Sequence, residues 1–173
     1  MPDSPHRGWC SRVYLPHRDV PGHFQAITFH MGDSLPQAVL AQMEEQLTAL
    51  DDSAHAIERR KRIEAYLDAG HGDCWLRRPD IALLVENALL HFDGERYQLM
   101  AWVVMPNHVH FLAKMNEGYP LGDVMYSLKS YTAKAANKIL ERHGPFWQRE
   151  YHDRFIRDWE HYDSVVRYIE RNP

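Results

Sequence analysis

Two spacings in this sequence can do chemistry: His108-Val109-His110, and Tyr168 followed four residues later by Asn172. Residues two apart in a strand project from the same face, so His108 and His110 stand side by side while Val109 and Phe111 enter the core. Neutral imidazoles are common ligands of divalent ions, and the pair can hold one, although the same pattern also occurs with no ligand. In a helix, positions four apart share a flank. On the wheel of the last helix Tyr162, Val165, Val166 and Ile169 form the core stripe, and Tyr168 and Asn172 fall together on its shoulder. A tyrosine there can be a hydroxyl nucleophile and the asparagine carbonyl a third oxygen ligand. Equally, the tyrosine can pack the helix flank and the asparagine can cap the helix before Pro173.

These groups need a strand and a helix to carry them. Residues 97–104 and 108–115 read as two apolar strands joined by Met105-Pro106-Asn107, where proline has no amide to donate and asparagine tolerates a left-handed backbone. Residues 97–104 are too continuously hydrophobic for a wet face, which predicts a place in the middle of a sheet. Phe24, Ile27, Thr28 and Phe29 mark an earlier strand over 23–31. Helical spacing predicts helices from Ser34 or Asp33 as cap through Leu50, and over 54–67, 79–92 and 121–142, with the last from about Asp158. An extended stretch occupies 146–156. This order predicts an α+β fold in which helices cover an antiparallel sheet.

At 173 residues the chain is long enough for one domain with its own core. Cys10 and Cys74 offer neither a disulfide framework nor a thiolate zinc site, and no long apolar run suggests secretion or membrane spanning. The expected setting is a reducing cytoplasm, with no membrane partner. Net charge is −4, which argues against coating nucleic acid by bulk electrostatics. Its distribution is uneven. Residues 33–73 hold nine acids against four bases and are expected to stay away from phosphate, whereas residues 129–157 hold seven bases against three acids. A polyanion is expected at the second stretch, unless its charges are only solvated helix faces.

Five ordered motifs carry a resemblance. Trp102-Val103-Val104-Met105-Pro106-Asn107-His108-Val109-His110, Ser127-Leu128-Lys129-Ser130-Tyr131-Thr132-Ala133, Gly144-Pro145-Phe146-Trp147-Gln148-Arg149-Glu150-Tyr151, Arg154-Phe155-Ile156-Arg157-Asp158 and Tyr168-Ile169-Glu170-Arg171-Asn172-Pro173 together resemble the REP-associated tyrosine transposases. These are bacterial relatives of the single-tyrosine insertion-sequence transposases in the HUH nuclease superfamily. The resemblance implies a ferredoxin-like sheet, the palm of an HUH nuclease, with the histidine strand at its centre and the tyrosine helix alongside. It implies that His108 and His110 hold Mg2+ or Mn2+, that Asn172 adds a polar ligand, and that Tyr168 is the nucleophile. The family continues further, so residues 1–173 are expected to be a single domain lacking its C-terminal extension.

By the same resemblance the substrate is single-stranded or hairpin DNA, often a repetitive palindrome, cut through a 5′-phosphotyrosine intermediate. The alternative is a domesticated protein that binds hairpins without cutting them. Lys129, Arg149, Arg154 and Arg157 can meet phosphates and are expected to border the histidine face. Trp147 can stack on an unpaired base or anchor sheet to helix, and Gln148 can read a base edge or hold a loop.

Overall fold

The computed structural model describes residues 8–12 and 15–172, with side chains from Val20 onward. Strands β1 (Gly8–Arg12) and β2 (Leu15–Asp19) pair as a separate antiparallel ribbon. The Cys10 side chain lies outside the described residues, and Cys74 is a free, buried thiol. After the ribbon come β3 (Phe24–His30), α1 (Gln37–Leu47), α2 (Asp52–Asp68), α3 (Pro79–His91), β4 (Tyr97–Val104), β5 (His108–Met115), α4 (Leu121–Ile139), β6 (His152–Phe155) and α5 (Trp159–Arg171).

From β3 onward the elements form one four-stranded antiparallel sheet in the order β4-β5-β3-β6, the ferredoxin-like arrangement. Thr28 sits opposite His110 and His30 opposite His108. The alternation of β5 separates two cores. Val109, Phe111 and Ala113 face α3 and α4 through Ile81, Val85, Leu89, Leu121, Val124, Met125 and Leu128. Leu112 faces α5 through Val165 and Ile169. The histidines share the second face, which places them beneath the tyrosine helix. A third cluster, Leu35, Ile63 and Leu67, joins α1 to α2.

Two sequence expectations need correction. Strand β4 lies at a sheet edge, not in its middle. Its hydrophobicity comes from helices above and below: Trp102 and Val104 pack with the α3/α4 core, and Ala101 and Val103 with the α5 core. Helices thus provide the burial that was read as a central position. Helix α1 has no side-chain cap, since it begins after Pro36. Ser34 instead donates to the Met31 carbonyl at 2.8 Å, and Asp33 Oδ2 accepts from the Asp73 amide at 2.6 Å. The caps that do form are Asp51 on α2 and Asp158 on α5, the latter accepting from the His161 amide at 2.7 Å. Among the described residues no helix is long and apolar enough to cross a membrane.

Candidate active site

His108 and His110 stand side by side as their spacing requires, with Nε2 atoms 2.9 Å apart, and both rings are buried. Their protons can be placed from their neighbours. Asn107 donates Nδ2–H to the His71 carbonyl at 2.8 Å, which leaves its Oδ1 as an acceptor 2.7 Å from His108 Nδ1. His108 therefore carries its proton on Nδ1 and turns the Nε2 lone pair inward. His110 Nδ1 lies 2.7 Å from the Thr28 hydroxyl, which can donate or accept and so permits either tautomer. Asn107 is in the hairpin for these hydrogen bonds, since it does not have the positive φ allowed for in the sequence.

Asp68, at the end of α2, completes the group. Its Oδ1 lies 3.3 Å from His108 Nε2, and its Oδ2 accepts from the Tyr168 hydroxyl at 3.3 Å. The same hydroxyl is 3.3 Å from His110 Nε2. One atom each from Asp68, His108 and His110 come within 4.8 Å of one another. The inward lone pair of His108, the Asp68 carboxylate and a His110 ring free to turn its own Nε2 lone pair inward are the donors a divalent ion takes, so the set fits a divalent metal. Sequence reading missed Asp68 and expected the acidic segment to stay clear of the site. Forty residues and several turns separate Asp68 from His108, and no local spacing announces the contact.

Electrostatics follow from burial. Desolvation, then the charges of His110 and His30, lower the His108 pKa to about 3, and desolvation lowers that of His110 to about 4. Both rings are therefore neutral and able to ligate at pH 7. Asp68 is raised by burial and Tyr168 is raised well above 10 by burial, then by the Asp68 and Glu64 carboxylates. For the two histidines, below the unfolded value near 6.5 the unfolded chain takes up protons that the folded one refuses, and the raised Asp68 carboxyl opposes this only in part. Metal-free protein should lose stability as pH falls from about 6.5 towards 4, by up to about 1.4 kcal/mol per pH unit for each of the two histidines. Denaturant melts across that range test it, and a flat profile would contradict neutral buried rings.

Asn172 ends α5 one turn beyond Tyr168, and its amide acts on the Tyr168 hydroxyl, although its Nδ2 makes no completed hydrogen bond. The orienting partners offer a milder test than the ligands. Thr28→Val keeps the shape and removes the hydroxyl at His110 Nδ1, so Mn2+ affinity should fall about 10–100-fold with the fold intact. Titration calorimetry reads it, and unchanged affinity would remove Thr28 from the site.

The residues expected to meet DNA are dispersed. Arg154 lines the cleft that also contains His110 and Tyr168. Arg157 is exposed just before the Asp158 cap of α5, close enough to Arg154 to lower its pKa. Lys129 belongs to α4, the helix on the other sheet face, and its ammonium donates to the Gln148 and Arg149 carbonyls at 2.7 Å each. It is a strut for that loop. Arg149 is exposed, and the Gln148 amide donates to the His30 carbonyl at 2.9 Å, so the backbone of Gln148 holds the loop. Trp147 takes the anchoring role: it is 6% exposed, packs edge-on against Phe29 and donates to Thr132 Oγ1 at 2.9 Å. No ring face is left for a base.

Comparison with known proteins bears on the fold. The structure of a REP-associated tyrosine transposase bound to a REP hairpin superposes with a TM-score of 0.57 at 17% identity, covering 95% of this chain and 73% of that one. At that identity the likeness is one of fold. A candidate transposase from Deinococcus radiodurans R1 gives a TM-score of 0.36 at 15% identity over 94% of this chain and 96% of that one. No curated protein matches the sequence. The pattern of the IS200-like transposases matches residues 88–172, which contain the histidine strand and the tyrosine helix. Over those residues the chain is similar to the IS200-like transposases.

Proposed function

We propose that this chain is a metal-dependent, single-tyrosine DNA endonuclease and strand transferase that acts on hairpin or repetitive palindromic DNA through a 5′-phosphotyrosine. The observation that carries the proposal is the Tyr168 hydroxyl, 3.3 Å from both His110 Nε2 and Asp68 Oδ2 at the edge of a fitting metal-donor set. His108, His110 and Asp68 would hold Mg2+ or Mn2+, with the Asn172 amide oxygen as a further donor. Such an ion offsets the negative charge that gathers on a phosphate's non-bridging oxygens.

The protein's own groups supply the rest. Tyr168 is a poor nucleophile while protonated, so it must lose its proton as it attacks, and Asp68 Oδ2 already accepts that O–H. The tyrosine oxygen bonds to phosphorus as the bond from phosphorus to the 3′ oxygen breaks. The leaving oxygen takes a proton and becomes a 3′-hydroxyl, and the 5′-phosphate stays on Tyr168. A 3′-hydroxyl from another strand can reverse the step and join DNA. A hairpin is the natural substrate on this reading, and the solved relative in fold is itself bound to one.

The test is incubation with a 3′-labelled single-stranded palindrome and Mn2+, followed by a denaturing gel. The expected result is labelled DNA migrating with the protein, lost on chelation. Hairpin binding without an adduct would leave a binding protein that does not cut.

A further inference from the structure

From His110 and Tyr168 a cleft of about 580 Å3 runs between α2, the β3 and β6 strands and α5. This is within the roughly 300–1,000 Å3 of small-ligand sites. Its wall is apolar where Ala56, Ile63 and Leu67 of α2 face Val165 and Ile169 of α5. Three guanidiniums line it, Arg59 and Arg60 from α2 and Arg154 from β6, with Lys61 beside them.

Of the charged side chains lining the cleft, Arg59, Arg60, Lys61 and Arg154 outnumber Glu64 and Asp153. Arg59 and Arg62, the neighbours of Arg60 on α2, are paired with Glu44 and Glu58. Arg60 and Arg154 instead share the field of one carboxylate, Glu64, whose Oε1 is 3.8 Å from Arg60 Nε. That Nε is shielded from solvent and has no hydrogen-bond partner. Burial, then the charge of Arg60, lowers the Arg154 pKa, a sign that the two cations feel each other in partly desolvated surroundings. An excess positive charge beside an apolar wall, opening onto Tyr168, suits an anion carrying a flat apolar group.

We propose that this cleft seats an unpaired nucleotide adjoining the cleaved phosphate, its own phosphate between Arg60 and Arg154 and its base against the α2/α5 wall. A base in duplex is stacked and paired and cannot enter, so the seat selects single-stranded DNA at the cut. The segment whose overall acidity marks it as repelling DNA thereby supplies one wall of the DNA site, because its basic face is the one turned inward. This inference rests on the function proposed above and concerns where the strand lies.

Fluorescence anisotropy with a labelled single-stranded oligonucleotide, titrated with salt, tests it without requiring cleavage. Arg60→Gln and Arg154→Gln should each weaken binding about tenfold or more. Each should also reduce the slope of log affinity against log salt by about 0.7. Arg154→Lys should keep the slope, and Lys134→Gln, on exposed α4 surface, should change neither quantity. Equal Mn2+ affinity and melting temperature in all variants establish that the fold is retained. A double variant with wild-type slope and affinity would overturn the proposal, and so would an equal loss on fully paired duplex. No adduct from the wild-type protein, together with these losses in the arginine variants, would overturn the cleavage reading and leave the nucleotide seat standing.

Discussion

Tyr168→Phe should reduce covalent attachment to DNA by roughly a thousandfold or more while changing hairpin affinity by no more than about twofold. The substitution removes one oxygen. The phenyl ring still fills its place edge-on to His110, with the ring centres 5.2 Å apart in the parent protein, and α5 keeps its core contacts through Val165 and Ile169. The lost O–H bond to Asp68 is partly exposed and long at 3.3 Å, so stability should change little. Covalent capture on denaturing gels and anisotropy on the hairpin, run on one preparation, separate chemistry from binding. An adduct from the phenylalanine protein would end the assignment of Tyr168 as nucleophile.

His110→Ala should remove Mn2+ binding and adduct formation together, with metal affinity falling by more than about 100-fold, beyond the loss expected for an orienting partner. His110 contributes an inward Nε2 to the donor set, touches Tyr168 and is 4% exposed, so no other side chain can move into its place without opening the core. Tyr168→Phe, in contrast, should bind the ion as the parent does. The pair of variants therefore tests two separate statements. An alanine protein that lost cleavage yet bound Mn2+ with parental affinity would show that the imidazole serves the tyrosine and not the metal.

These outcomes differ because the histidines lie within the sheet and the tyrosine lies on a helix above it. That difference was legible in the residues. A period of two around His108, proline and asparagine in the hairpin, and a period near 3.6 from Tyr162 to Ile169 identify strand, turn and helix through local backbone and side-chain preferences. The ferredoxin-like order, the shared face of the two histidines and the shoulder position of Tyr168 followed from those periods and the family resemblance. Nothing local, however, distinguishes Trp147 as a core anchor from Trp147 as a stacking surface, since an indole suits both until its neighbours are known.

By itself the sequence determined which elements form and which side chains each presents together, because such relations span only a few residues and are set by dihedral preference and hydrophobic period. Tertiary packing decided what those faces meet. It brought Asp68 to a tyrosine one hundred positions later, gave the Lys129 ammonium to loop carbonyls, put the apolar β4 at an edge between helices, and turned Arg60 of an acidic segment towards Arg154. The physical reason is that a contact between distant residues depends on how whole faces dock. Net charge and hydrophobic pattern constrain that docking only as averages, whereas the site depends on where individual carboxylates and guanidiniums come to rest.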